Sequence, residues 1–213
     1  MLSGVTTNPL ILAREAATLD EQDYGRLLRA APPQALVTIA RGSSDHAANY
    51  AGYLIMARLG RLVASMPMSL VTLYQSPIAC AGLASLAFSQ SGQSPDLVEP
   101  TRYFRQCGAL TAAFVNDLAS PLAQAAEWSF GLHAGEEASV AATKSFIAQL
   151  VAGARLAAAW QDDAELIAAL ERLPESLAAA AAADWSAGIE PLRGADRLFV
   201  VGRGLGLPVA LEA

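Results

Sequence analysis

The sequence predicts an α/β domain in which five parallel strands are covered by helices on both faces. Apolar, β-rich segments recur at about 36–40, 69–73, 83–88, 109–115 and 128–132, separated by helical patterns or turns. That is the βαβ rhythm of a parallel sheet buried on both sides. Two of these runs end alike. Leu86-Ala87-Phe88 breaks into Ser89-Gln90-Ser91-Gly92-Gln93-Ser94-Pro95, and Val37-Thr38-Ile39-Ala40 breaks into Arg41-Gly42-Ser43-Ser44-Asp45. A strand ending at one sheet edge, a glycine that permits a close turn and hydroxyls at a helix start form a pattern suited to holding an anion.

Asn8 followed by Pro9 fits an N-cap and first helical turn, so residues 1–34 read as a leading helical segment outside the sheet. Pro32-Pro33 marks entry to the first strand, and the first domain is expected over 35–175. Ala47 to Leu59 reads as a helix with Tyr50, Leu54 and Met56 among its apolar positions. From Ser139 to Trp160 the pattern is again helical, and its apolar character fits core burial or a contact with a second copy equally. A further helix spans Asp162 to Leu173, where Pro174 interrupts it, and the Ala-rich run Leu177–Ala183 is a strong helix former. Arg197-Leu198-Phe199-Val200-Val201-Gly202-Arg203-Gly204 then repeats the layout of Ala35 to Gly42. Residues 176–213 are therefore expected to hold a linker helix and the start of a second copy of the sheet, which makes the chain read as a fragment.

With 213 residues, 54% hydrophobic and 16% charged, the chain can bury one ordinary α/β core. A net charge of −6 and 14 scattered basic residues argue against nucleic acid, whose backbone needs clustered Lys and Arg. The uncharged stretch between Arg61 and Asp96 is broken by Pro67, Pro77, Gly82 and many hydroxyl side chains, so no membrane span is expected. The first residues lack the basic-then-apolar order of a signal peptide, which points to the cytoplasm. Cys80 and Cys107 lack metal-type spacing and read as two buried thiols, with no metal expected. Gly202-Arg203-Gly204-Leu205-Gly206 lacks the third glycine of a dinucleotide fingerprint, and no cofactor is expected. His46 and His133 read as solvated residues or neighbours of the ligand loops, and Trp128, Trp160 and Trp185 as core or interface packing.

At Gly42-Ser43-Ser44, Ser89-Gln90-Ser91-Gly92 and Val140-Ala141-Ala142-Thr143-Lys144 the chain resembles the sugar isomerase (SIS) domain family, specifically its double-SIS branch. That branch includes the isomerase half of glucosamine-fructose-6-phosphate aminotransferase and the SIS-type glucosamine-6-phosphate deaminases. The resemblance covers nearly the whole chain and implies a flavodoxin-like, doubly wound sheet. It implies that Ser43, Ser44, Ser89, Gln90, Ser91 and Ser94 surround a sugar phosphate, with Ser89, Ser91 and Ser94 nearest the phosphate group. Ser94 stands where the family commonly has Thr. The backbone of Val140 to Ala142 would line the sugar, Ala142 replacing a common Ser. Glu137 and Lys144 would belong to the polar framework, about two turns apart on one helix face. Ser69–Tyr74 and Ser94–Glu99 look closer to the stand-alone deaminases than to the aminotransferase.

Interconverting an aldose and a ketose phosphate requires a base to carry a proton between C1 and C2 and an acid to open the ring. The resemblance assigns those groups to the second SIS half and the C-terminal tail. Glu212 matches a family Glu at the start of that half's helix but precedes the presumed base, so the catalytic residues are left unassigned. The expectation is the sugar-phosphate-binding domain of an amino-sugar phosphate deaminase or an aminotransferase/isomerase, acting as a homodimer. A non-catalytic sugar-phosphate sensor is the alternative, against which stands the lack of a visible basic helix-turn-helix segment.

Overall fold

A computed structural model describes residues 21–138 and 142–213. Asn8-Pro9 and the first part of the expected leading helix lie outside the described residues. Its end is present as α1 (Glu21–Ala30), whose Tyr24 and Leu28 are fully buried.

The chain continues through β1 (Ala35–Ile39), α2 (Ser43–Leu59), β2 (Val63–Ser65), α3 (Ser69–Thr72), β3 (Leu83–Ser89), α4 (Pro95–Gln106) and β4 (Leu110–Val115). It then forms α5 (Pro121–Ala125), β5 (Trp128–Gly131) and α6 (Thr143–Gln161). All strand pairs are parallel, in the order β2-β1-β3-β4-β5, which is the flavodoxin-like doubly wound order.

The period-two pattern of each strand divides the core into two layers. Leu36, Leu86, Phe88, Phe114 and Phe130 face the layer completed by Tyr24, Ile55, Leu156 and Trp160 from α1, α2 and α6. Ile39, Ala87, Ala113 and Val115 face the other, completed by Leu97, Phe104 and Leu122 from α4 and α5. Phe88, Phe114 and Phe130 are register neighbours on β3, β4 and β5, and their rings stack at 4.8 and 5.1 Å between centroids. This aromatic row fixes the strand register on that face. On the helical layer, α2 and α6 approach so closely that a Cβ on Gly153 would lie 2.7 Å from the Ala51 Cβ.

The expected strand at 69–73 is instead α3, and the second strand is the shorter Val63–Ser65. β2 pairs with β1 from Val63 to Ser65 and ends before Pro67, which has no N–H to extend a ladder. Leu70 and Val71 then cover the α4/α5 layer as a helical turn, with the Thr72 hydroxyl donating back to the Met68 carbonyl. Cys107 is exposed rather than buried, whereas Cys80 is buried as expected. Trp160 is buried and Trp128 packs against the core, whereas Trp185 is exposed.

Beyond α6 lie α7 (Ala164–Glu171), α8 (Leu173–Ala182), α9 (Ser186–Ile189), a 3-10 turn (Glu190–Leu192) and α10 (Gly206–Glu212). Pro174 sits in the first turn of α8, where its missing N–H costs nothing. Residues 197–203 pair with no strand among the described residues, and Phe199 and Val201 are 94% and 91% exposed. α10 packs on α2. No helix among the described residues is long and apolar enough to cross a membrane.

Candidate functional site

From β1 the chain winds outward to β2 on one side, and β3 lies on the other, so the winding reverses between β1 and β3. In such sheets the loops leaving the strand ends diverge at this point and open a ligand crevice. The two hydroxyl-rich turns leave these same two strands, and the fold thereby brings Ser43 and Ser44 to one side of the switch point and Ser89 to Ser94 to the other.

The β3–α4 turn is held by its own serines. Ser89 is buried at the end of β3, and its Oγ accepts the Gly92 N–H at 3.0 Å. Ser91 Oγ accepts the Gln93 N–H at 3.3 Å. Because both oxygens act as acceptors here, both hydroxyl protons remain available to an anion. Gly92 has φ +64, and a Cβ there would lie 2.2 Å from Ser120 Oγ. The Gly92 carbonyl accepts the Leu122 N–H at 3.1 Å and the Gln90 carbonyl accepts the Asn116 N–H at 3.2 Å, fastening the turn to the β4–α5 loop.

Ser94 is the N-cap of α4, followed by Pro95. Its carbonyl accepts the Leu97 and Val98 N–H groups, while its hydroxyl makes no capping bond. The partial positive end of this 12-residue helix therefore opens beside Ser89 and Ser91. Gly42, with φ +56, is the N-cap of α2, which lacks a side-chain cap, and Ser43 and Ser44 form its half-exposed first turn. Arg41 is ion-paired with Asp96, joining the β1–α2 turn to the first turn of α4.

A further polar segment follows β5. Asn116 Oδ1 accepts the Ala134 N–H at 2.8 Å and Asn116 Nδ2 donates to the Gly135 carbonyl at 2.7 Å. His133 adopts φ +49, and its Nε2 is buried without a hydrogen-bond partner. Glu137 precedes α6 rather than lying on it, so the expected shared helix face with Lys144 is not formed. The cause is capping: the Glu137 carboxylate accepts the Ser145 N–H at 2.9 Å, while the Ser145 hydroxyl donates to the Ala142 carbonyl at 3.0 Å. Lys144 Nζ donates to the Glu136 carbonyl. Ala142 thus sits at the start of α6, and Val140 lies outside the described residues. No metal-binding cluster of three or more His, Cys, Asp or Glu occurs among the described residues.

Asn116, Ser120 and the Arg41–Asp96 pair were not singled out from the sequence. Asn116-Asp117 breaking the apolar run Ala112–Val115 is the signal that could have found the first.

These features define a doubly wound α/β domain with two hydroxyl-rich turns at its topological switch point. Residues 31–159 match the SIS domain family, and the chain belongs to that family. It is 31% identical, over an alignment of 229 residues, to glutamine–fructose-6-phosphate aminotransferase [isomerizing] of Aeropyrum pernix, with 100% of this chain and 37% of that protein covered. It is 34% identical over 189 residues to the enzyme of the same name from Symbiobacterium thermophilum, with 82% and 30% covered. The chain thus spans about a third of the length of these relatives. Among solved structures, one from Silicibacter pomeroyi DSS-3 named as a candidate phosphosugar isomerase superposes with a TM-score of 0.92 at 41% identity, covering 96% of this chain and 64% of that one. The C-terminal domain of glucosamine-fructose-6-phosphate aminotransferase from Francisella tularensis shares the fold, with a TM-score of 0.80 at 23% identity and 96% and 62% covered.

Proposed function

We propose that this domain binds a hexose or hexosamine 6-phosphate in the β1/β3 crevice, as part of an amino-sugar phosphate deaminase or an aminotransferase/isomerase. The observation that carries the reading is the convergence of two hydroxyl-rich turns on one switch point, with the start of α4 opening beside Ser89 and Ser91. In this reading Ser89, Ser91 and Ser94 donate to the phosphate oxygens. Gln90, Ser43 and Ser44 face the sugar, together with the backbone at Val140 and Ala142.

The cradle supplies binding and orientation. Serine hydroxyls without an adjacent base do not shuttle a proton between C1 and C2 near neutral pH. The reaction therefore draws its acid and base from outside these residues, in keeping with a second unit that begins near residue 197. The exposed run Leu198–Val201, which repeats the layout of the buried β1, supports that division. Assembly as a homodimer in the cytoplasm belongs to the same proposal.

A thermal-shift titration with glucosamine 6-phosphate and fructose 6-phosphate tests it, with the unphosphorylated sugars as controls. The phosphorylated sugars should raise the melting midpoint and the free sugars should not. Equal shifts from both would contradict a phosphate cradle.

A further inference from the structure

Arg41 is the sole lysine or arginine in the loops that follow the five strands, among the described residues. Its guanidinium is paired with Asp96, the second residue of α4, so the pair reaches from the β1–α2 turn to the helix start assigned to the phosphate. Both side chains remain about half exposed, at 58% and 46%. An ion pair this open to water is weakly held and readily exchanged.

Asp96 creates a difficulty for the cradle. A carboxylate in the first turn of α4 occupies the positive end of the helix, where it competes with and repels an incoming anion. Arg41 offsets that charge in the free domain. A phosphate dianion offers the guanidinium a planar, doubly accepting edge with more charge than a carboxylate, and at close range it is the stronger partner. The hydroxyls of Ser89, Ser91 and Ser94 are neutral donors and respond only weakly to how many charges a ligand carries.

We infer that Arg41 is a phosphate-binding and charge-selecting residue that exchanges partners, from Asp96 in the free domain to the phosphate in the bound one. Asp96 is the competitor that sets the threshold, so that a dianion displaces it more effectively than a monoanion. The inference rests on the proposed sugar-phosphate cradle and adds to it a selectivity that the serines do not provide.

The experiment is a set of affinity titrations on wild type, Arg41→Gln, Asp96→Asn and the double variant. The probes are glucosamine 6-phosphate and its monoanionic counterpart, glucosamine 6-sulfate. Arg41→Gln should weaken phosphate binding about tenfold and flatten its salt dependence, because one screened charge contact is lost. Asp96→Asn should tighten binding of both probes several-fold, the phosphate at least as much as the sulfate, because the repulsion removed grows with ligand charge, whereas Arg41→Gln should narrow the discrimination between them. The double variant should fall between the two single variants.

If Asp96→Asn weakens binding as much as Arg41→Gln, the pair acts as a structural latch and the inference is wrong. Unchanged affinity in Arg41→Gln also overturns it, and Ser89→Ala run in parallel separates the causes. Binding lost in Ser89→Ala but untouched in Arg41→Gln refutes the role of Arg41 alone. Absence of phosphate binding in wild type refutes the cradle and the exchange with it.

Discussion

Glu212, in the last turn of α10, shares a hydrogen bond with His46, its Oε2 lying 3.0 Å from Nδ1 of the imidazole. The two residues are 166 positions apart, and His46 follows Ser43 and Ser44 in the first turn of α2. The contact therefore fastens α10 to the first turn of α2, which also carries Ser43 and Ser44.

His46→Ala should release α10 while leaving the sheet intact. One partly buried hydrogen bond contributes about 1 kcal/mol. Amide exchange over 206–212 should quicken several-fold, with protection of β3 and β4 unchanged. Equal protection of α10 in the variant would show that apolar packing alone holds it.

Gly92→Ala should be costly for two reasons that act together. The residue has φ +64, which strains any L side chain, and the new Cβ would collide with Ser120. A loss of about 2 kcal/mol or more is expected in a urea titration. Sugar-phosphate binding should weaken in the same variant, since the turn that presents Ser89 and Ser91 must move.

Asn116→Ala removes both side-chain bonds to the 134–135 backbone. Two lost bonds cost about 1–3 kcal/mol, and the β5–α6 loop should become more accessible to protease. Asn116→Asp is the sharper comparison, because it keeps the acceptor for Ala134 N–H and loses the donor to Gly135. Retention of loop protection in Asn116→Ala would mean that Glu137 capping alone orders the segment.

Glu21 and Arg155 predict a pH effect away from the crevice. Glu21 is buried on α1, its Oε2 accepts from Arg155 Nε at 2.6 Å, and its Oε1 has no partner. Burial pushes its carboxyl up to about 7 from an ordinary 4.5, against the opposing pull of the Arg155 charge and hydrogen bond. Between those two values the folded chain holds a proton that the unfolded chain releases. The Glu21 contribution to stability is therefore full below about 4.5 and is lost as pH rises through about 7. Wild type should lose stability relative to Glu21→Gln between pH 5 and pH 8, read as the difference in urea midpoints. A difference that does not change with pH would contradict the raised value.

The sheet was legible because its strands carry an unambiguous buried pattern, as in Leu83–Ser89 and Leu110–Val115. The second strand was misplaced because three residues, Val63–Ser65, give too short a pattern to compete with the apolar Ser69–Leu73, which the chain uses as a helical turn. The two serine turns were visible as abrupt polar breaks after apolar runs, and the fold places both at one switch point. The long-range pairings were not legible. Arg41 with Asp96 and Asn116 with Gly135 depend on which loops the strand order makes adjacent, and His46 with Glu212 on the packing of α10 against α2, none of which a local pattern encodes.

Calorimetric titration of glucosamine 6-phosphate into wild type and the Ser89→Ala/Ser91→Ala double variant tests the phosphate cradle most directly. The account predicts saturable binding to wild type and a loss of at least tenfold in affinity in a variant that still melts cooperatively. Equal affinity in the folded double variant would contradict it.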